Sequence, residues 1–136
     1  MNDLIKAIEA AYQSPEDETL ISKAHRVFLS HIFILPIRKD TKKGDEPEAL
    51  YYNEDNKQFL PLFSSDDLFR QWAGDSVNDM GWLTILGKDV ILGTSDGAYL
   101  CLDIGQTHYK ELAPSEVQRL RQVILKLERI VKAAAV

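Results

Sequence analysis

The carboxy-terminal segment limits the fold more than any other part of the chain, because its pattern fits a long helix with one apolar side. Pro114 and Ser115 are typical of a helix start, and after them apolar residues recur at intervals of three and four. The apolar positions are Val117, Leu120, Val123, Ile124, Leu127, Ile130 and Val131. A stripe of about three positions in seven is typical of a helix that lies on a domain core. We therefore predict a helix over 115–133 whose stripe is mostly covered by the domain itself.

The segment before this helix provides a sheet that it can cover. Apolar residues there alternate with Tyr99, Cys101 and Asp103, which is the pattern of a strand with one face on the core. Gly105 then turns the chain toward a hairpin partner. Similar β-prone runs elsewhere predict strands over 31–37, 49–53, 58–63, 82–86, 98–103 and 107–112.

Amphipathic spacing and capping residues predict three further helices, over 3–13, 15–29 and 65–73. Ser14 and Pro15 open the second of these helices, and Ser65 precedes the acidic first turn of the third. The pattern over 87–92 fits either a hairpin arm or a short helix. Both possibilities remain open from the residues alone.

The chain, residues 1–136, is predicted to form one α+β domain with a mainly antiparallel sheet of about five to six strands and packed helices. One segment stands apart in composition. The stretch 38–48 has eight charged residues of eleven, together with Gly44 and Pro47. We expect a solvated, mobile loop there.

The charge of the chain excludes some classes of partner. The net charge is −5, from 16 Lys and Arg against 21 Asp and Glu, which disfavours binding to nucleic acid. The segment from Ser115 onward has a net charge of +3, and the residues before it have a net charge of −8. No apolar run approaches the about 20 residues that cross a bilayer, and no secretory signal is visible, so we expect a cytoplasmic protein without a membrane partner.

Residues with catalytic or ligating chemistry do not form a recognisable set. Cys101 is the single cysteine, which indicates a reducing compartment, and it lies in the middle of a strand between two leucines, as a packed structural thiol does. His25, His31 and His108 lack the spacing that places two metal ligands on one helix face. The glycines form no phosphate-binding motif. We predict no catalytic, metal or cofactor residues, no small-molecule partner and no enzymatic activity.

Between Phe59 and Leu120 the sequence resembles the amino-terminal domain of the SseB family of bacterial proteins. The resemblance rests on the order of several segments and on no single one. They are LPLFSS at 60–65, Trp72 with Ala73, GKDVIL at 87–92, the apolar strand and glycine turn at 99–105, and ELAPSEV at 111–117. The resemblance implies a short helix over 87–92.

The chain departs from the family pattern in three places. The strand ends in Leu102-Asp103-Ile104-Gly105 where an asparagine-proline-glycine turn is common, the last helix is long, and no room remains for the second domain that many members carry. The family brings no established catalytic residues to carry over. A role that depends on a second domain is therefore not expected of this chain.

These observations favour a non-enzymatic adaptor module that binds a protein partner, a second copy of the chain included. One alternative is a secretion-chaperone-like or immunity-type protein that masks a partner, and another is an enzyme or redox protein that uses Cys101. We predict the partner surface on the side of the last helix that lies outside its apolar stripe. The residues at helical spacing there are Arg121, Leu125, Glu128, Arg129 and Lys132.

Overall fold

The computed structural model describes residues 3–39 and 48–134, so most of the charged segment predicted as a loop lies outside the described residues. Within these two ranges the chain forms five α-helices and six strands. The helices are α1 (Asp3–Gln13), α2 (Glu18–Ser30), α3 (Asp66–Ala73), α4 (Gly87–Gly93) and α5 (Pro114–Ala134). The strands are β1 (Ile32–Ile37), β2 (Tyr52–Glu54), β3 (Lys57–Leu62), β4 (Gly81–Leu86), β5 (Ala98–Leu102) and β6 (Lys110–Leu112). The α+β prediction is confirmed, and α4 confirms the helix that the family resemblance implied over 87–92.

The strands form one sheet of two and one sheet of four. Strands β1 and β4 pair antiparallel, and the larger sheet has the order β2-β3-β5-β6. An isolated bridge between Ile34 and Phe63 joins β1 to the end of β3. The central pair of the larger sheet, β3 and β5, is parallel. Two parallel neighbours need a long crossover connection, and α3, β4 and α4 form it here.

Several predicted boundaries were wrong, each for a local reason. Helix α2 begins at Glu18 and not near Pro15, because the Asp17 carboxylate caps it by accepting hydrogen bonds from two main-chain N–H groups. The strand predicted over 107–112 is shortened to β6, since turns occupy the segment that precedes it. The run predicted over 49–53 is mostly an extended approach to β2, with Ala49 in an isolated bridge to β1.

The main core lies between one face of the four-stranded sheet and the helices. The sheet contributes Leu60, Leu62, Leu100, Leu102 and Leu112, and α5 contributes Val117, Leu120 and Ile124. A smaller cluster packs α3 against the end of β3, where the rings of Phe63 and Phe69 lie 5.7 Å apart. The helices therefore cover one face of the sheet, and α3 closes the end where β3 stops.

Candidate functional site

The predicted partner surface on α5 is partly used by the domain itself. The side chain of Arg121 is only 17% exposed, and its guanidinium donates to the carbonyl oxygens of Ile91 (3.2 Å) and Thr94 (2.7 Å) and to the carboxylate of Asp96 (2.8 Å). Three acceptors at the end of α4 therefore hold this side chain. Arg121 fastens α5 to α4, which is a structural task.

The other residues of that predicted surface are more open. Glu128 forms an ion pair with Lys88 of α4 at 3.6 Å, and both side chains are partly exposed. Leu125, Arg129 and Lys132 are exposed. The structure thus separates the five predicted residues into two that contact α4 and three that face solvent.

The domain buries only three of the seven residues in the apolar stripe of α5, which corrects the prediction that it covers most of the stripe. Val117, Leu120 and Ile124 are buried, whereas Val123 is 44% exposed. Beyond them, Leu127 is 53% exposed, Ile130 is 54% exposed and Val131 is 67% exposed. We call these three residues, together with the half-buried Leu29 of α2, the distal surface. Helix α5 extends beyond the core that packs against it, so apolar side chains on its last turns are exposed to solvent.

A groove runs between the distal part of α5 and the end of α2. Its volume is about 580 Å³, and Leu29, Ile124, Leu127 and Val131 supply its apolar lining. Charged side chains form the rim, namely Arg26, Lys88, Lys132 and Glu128. Three of the four are cations, and because Glu128 pairs with Lys88, the excess positive charge of the rim comes from Arg26 and Lys132. The groove is therefore an apolar surface with a basic rim.

The sequence did not predict the distal surface. Helical spacing shows which residues share a side of α5, but it does not show which of them another part of the domain covers. One signal was present in the length. The 21 residues of α5 extend about 32 Å at 1.5 Å per residue, which is comparable to the diameter of a domain of this size. A helix of that length on so small a core must leave part of its stripe uncovered.

A group of polar side chains lies buried where β3 and β5 end. Asp103 is fully buried, and its carboxylate accepts hydrogen bonds from the Ser64 N–H (2.8 Å), the Ser64 hydroxyl (2.6 Å) and His108 Nε2 (2.7 Å). His31 Nε2 lies 2.9 Å from the Ser64 carbonyl oxygen. The serine and the histidine both bind the carboxylate, so neither is placed to activate the other. This cluster is built to join chain segments.

Cys101 is also buried, as the sequence predicted for a packed thiol. It is fully covered, and the Tyr52 hydroxyl lies 3.8 Å from its sulfur. Burial raises the pKa of the Cys101 thiol, although hydrogen bonds from Tyr109 and Tyr52 oppose this effect. The reactive thiolate is therefore disfavoured near neutral pH.

We expect Cys101 in the folded protein to react with iodoacetamide at pH 8 on the order of a hundredfold more slowly than in the urea-unfolded chain, because the sulfur is both covered and protonated. Mass spectrometry of the alkylated protein over time measures the two rates. Equal rates in the folded and unfolded chain would show an accessible thiolate and would revive the redox alternative.

A cleft of about 380 Å³ between α1, α2 and α5 has a polar mouth that is largely self-paired. Lys110 lies 3.7 Å from the Glu116 carboxylate and 5.6 Å from the centre of the Tyr12 ring, and the Tyr12 hydroxyl donates to the Tyr109 carbonyl. Burial lowers the pKa of the nearby His25, which favours its neutral form. The cleft thus offers apolar space with few free polar groups.

Two further findings concern the described part of the chain. No group of three or more His, Cys, Asp or Glu side chains within 3–39 and 48–134 could hold a metal ion. No described helix is both long and apolar enough to cross a membrane.

Comparison with known proteins assigns a family to the chain. No curated protein and no solved structure is significantly similar to this chain. The family model of the SseB protein N-terminal domain matches residues 4–119, a range that includes the six described strands, all of α1 but its first residue, helices α2 to α4 and the start of α5. The chain therefore belongs to the SseB family, through its amino-terminal domain.

Proposed function

We propose that this SseB-family chain is a non-enzymatic interaction module that captures a protein partner on the distal surface of α5. The observation that carries the proposal is the exposure of Leu127, Ile130 and Val131 on consecutive turns of one helix. Contiguous exposed apolar side chains framed by polar ones mark interaction sites, whereas single exposed leucines are ordinary. This surface replaces Leu125 as the centre of the predicted interface. Lys132 lies at its margin, whereas Arg129 lies on the same side of α5 as Leu125.

The chemistry of the groove selects the partner. A groove between α2 and α5 with an apolar floor suits the apolar face of an amphipathic helix. The basic rim of Arg26, Lys88 and Lys132 favours acidic residues beside that face. The partner we propose is therefore an acidic amphipathic helix, and its binding weakens as salt is added.

The alternatives have less support. The covered Cys101 does not favour an enzyme or a redox protein. A chaperone-like or immunity-type role uses the same kind of apolar surface and remains a special case of partner capture. A single free cysteine favours the bacterial cytoplasm as the compartment.

The test compares two double variants with the same change in charge. Leu127→Glu/Val131→Glu places carboxylates in the groove, whereas Gln122→Glu/Leu125→Glu places them on the opposite, solvent-facing side of α5. The protein recovered with the wild-type chain is identified, and a synthetic peptide of its acidic amphipathic helix is titrated by calorimetry. We expect the groove variant to lose affinity at least about a hundredfold and the solvent-side variant to change less than about threefold.

Thermal unfolding of both variants should stay within a few degrees of wild type, because all four positions are exposed. Loss of binding in the solvent-side variant alone would return the interface to the Leu125 side of the helix. A peptide that binds both variants like wild type would remove α5 as the binding element.

A further inference from the structure

Strand β4 is an outer strand whose free edge is unusually well suited to pairing. It runs six residues, Gly81–Leu86, and within 3–39 and 48–134 it pairs with β1 alone. An outer strand exposes a row of main-chain N–H and C=O groups, and proteins normally protect it with charged residues, prolines or bulges. The sequence GWLTIL contains no charge and no proline, and its register with β1 is continuous.

The direction of the unpaired groups follows from the hydrogen bonds of β1. Ile34 exchanges both its main-chain hydrogen bonds with Phe63, on the side away from β4. Thr84 stands opposite Ile34, so this pair is one of the non-hydrogen-bonded pairs of the ladder. The N–H and C=O of Thr84 therefore point outward from the edge. Among the described residues no hydrogen bond to either group is found.

Apolar side chains flank these outward groups on one face. Trp82 and Leu86 are exposed on either side of Thr84, and Ile32 is exposed beside Leu86 on β1. Trp82 is nevertheless held in position, because its ring lies 5.7 Å from the Phe69 ring and the Arg70 guanidinium lies 5.3 Å from its centre. A large aromatic side chain fixed before binding is an effective anchor for a partner.

We propose that β4 pairs antiparallel with β4 of a second copy of this chain, about a two-fold axis at Thr84. In this register the outward N–H and C=O of Thr84 meet those of the other copy, and Trp82 of each copy faces Leu86 of the other. The edge is self-complementary, because an apolar ring meets an aliphatic side chain at both ends and no like charges oppose each other. The two copies together form a continuous four-stranded sheet from their β1 and β4 strands.

The oligomeric state in solution tests the pairing. Light scattering on the wild-type chain at tens of micromolar should give twice the mass of one chain. Thr84→Pro removes an outward N–H that β1 does not use, and Thr84→Lys places like charges together on the axis. Both variants should be monomers with wild-type circular dichroism, while Leu125→Lys, which adds the same charge to an exposed position on α5, should stay dimeric.

A cysteine at Thr84 tests the register. Residues in a hydrogen-bonded antiparallel pair have Cα atoms about 5.5 Å apart, within the range of a disulfide, so oxidised Thr84→Cys should cross-link two chains. Leu125→Cys serves as the control and should not cross-link, and the native Cys101 is buried.

A monomeric wild-type chain, or a Thr84→Pro variant that remains dimeric, would overturn the proposal. A dimer that is lost in Leu127→Glu/Val131→Glu but kept in Thr84→Lys would also overturn it and would assign self-association to α5. Because partner capture by α5 is measured with a peptide, either proposal can fail while the other holds.

Discussion

Replacing Asp103 by alanine should lower the free energy of unfolding by about 3–5 kcal/mol, one of the largest losses expected from a single substitution in this chain. The carboxylate is fully buried and accepts three hydrogen bonds, two from Ser64 and one from His108. Without it, one N–H, one hydroxyl and one imidazole lose their acceptor inside the protein. An unpaired polar group in the protein interior costs about 1–3 kcal/mol of stability, which is more than the net stability that one ordinary hydrogen bond contributes.

Because Asp103 connects three separate segments of the chain, its loss should destabilise the whole domain. Its N–H donates to the Leu62 carbonyl, and its side chain reaches Ser64 just beyond β3 and His108 just before β6. Its backbone φ of 55° is in the left-handed region, which aspartate and asparagine tolerate better than most residues. One residue therefore ties the ends of β3 and β5 to the turn that starts β6.

Asp103→Asn is the matched control, since it keeps the shape and the tolerance for positive φ but removes the charge. We expect it to lose about 1–3 kcal/mol, less than alanine. Urea unfolding followed by circular dichroism measures both variants. A loss below about 1 kcal/mol for Asp103→Ala would mean that water or a rearranged loop satisfies Ser64 and His108.

The same residue shows where sequence reasoning fails. In the sequence Asp103 continues an alternation with Tyr99 and Cys101, which assigned all three to one face of the strand. The strand ends one residue earlier, and the chain then turns the carboxylate inward. A period-two pattern does not reveal a change of backbone direction at its last position. The hint lay in the departure from the family's asparagine-proline-glycine turn at this point.

Features set by local chemistry were predicted well. The limits of α1, the helix at α3 and the strand at β4 follow from spacing and capping that a few neighbouring residues decide. The parallel pairing of β3 with β5 and the burial of α5 depend instead on which distant segments meet. The distal surface belongs to this second group, because Leu127 and Ile124 have equal hydrophobic character in the sequence and differ only in what lies opposite them.

Gly87→Ala should lower the free energy of unfolding by about 3 kcal/mol, because the chain passes too close to α2 for any side chain at this position. A Cβ at Gly87 would collide with the carbonyl oxygen of Phe28, and it would lie 2.9 Å from the Phe28 carbonyl carbon and 3.0 Å from the Phe33 ring. The two closest of these atoms belong to the main chain of the last turn of α2, so no side-chain rotation relieves the collision. The Gly87 N–H also donates to the His31 carbonyl at 2.9 Å, which fixes the separation.

Gly93, at the other end of α4, separates this steric effect from the loss of glycine flexibility. A Cβ there meets nothing within 4 Å, so Gly93→Ala should be neutral or should stabilise the protein by up to about 1 kcal/mol through reduced freedom of the unfolded chain. Thermal and urea unfolding of the two variants give the difference directly. Similar effects at both glycines would contradict the close approach of β1, α2 and α4. A large loss of stability for Gly87→Ala alone would establish that the close contact at Gly87 sets the position of α4 on the domain. Because Arg121 binds the end of α4, the same contact would also position α5.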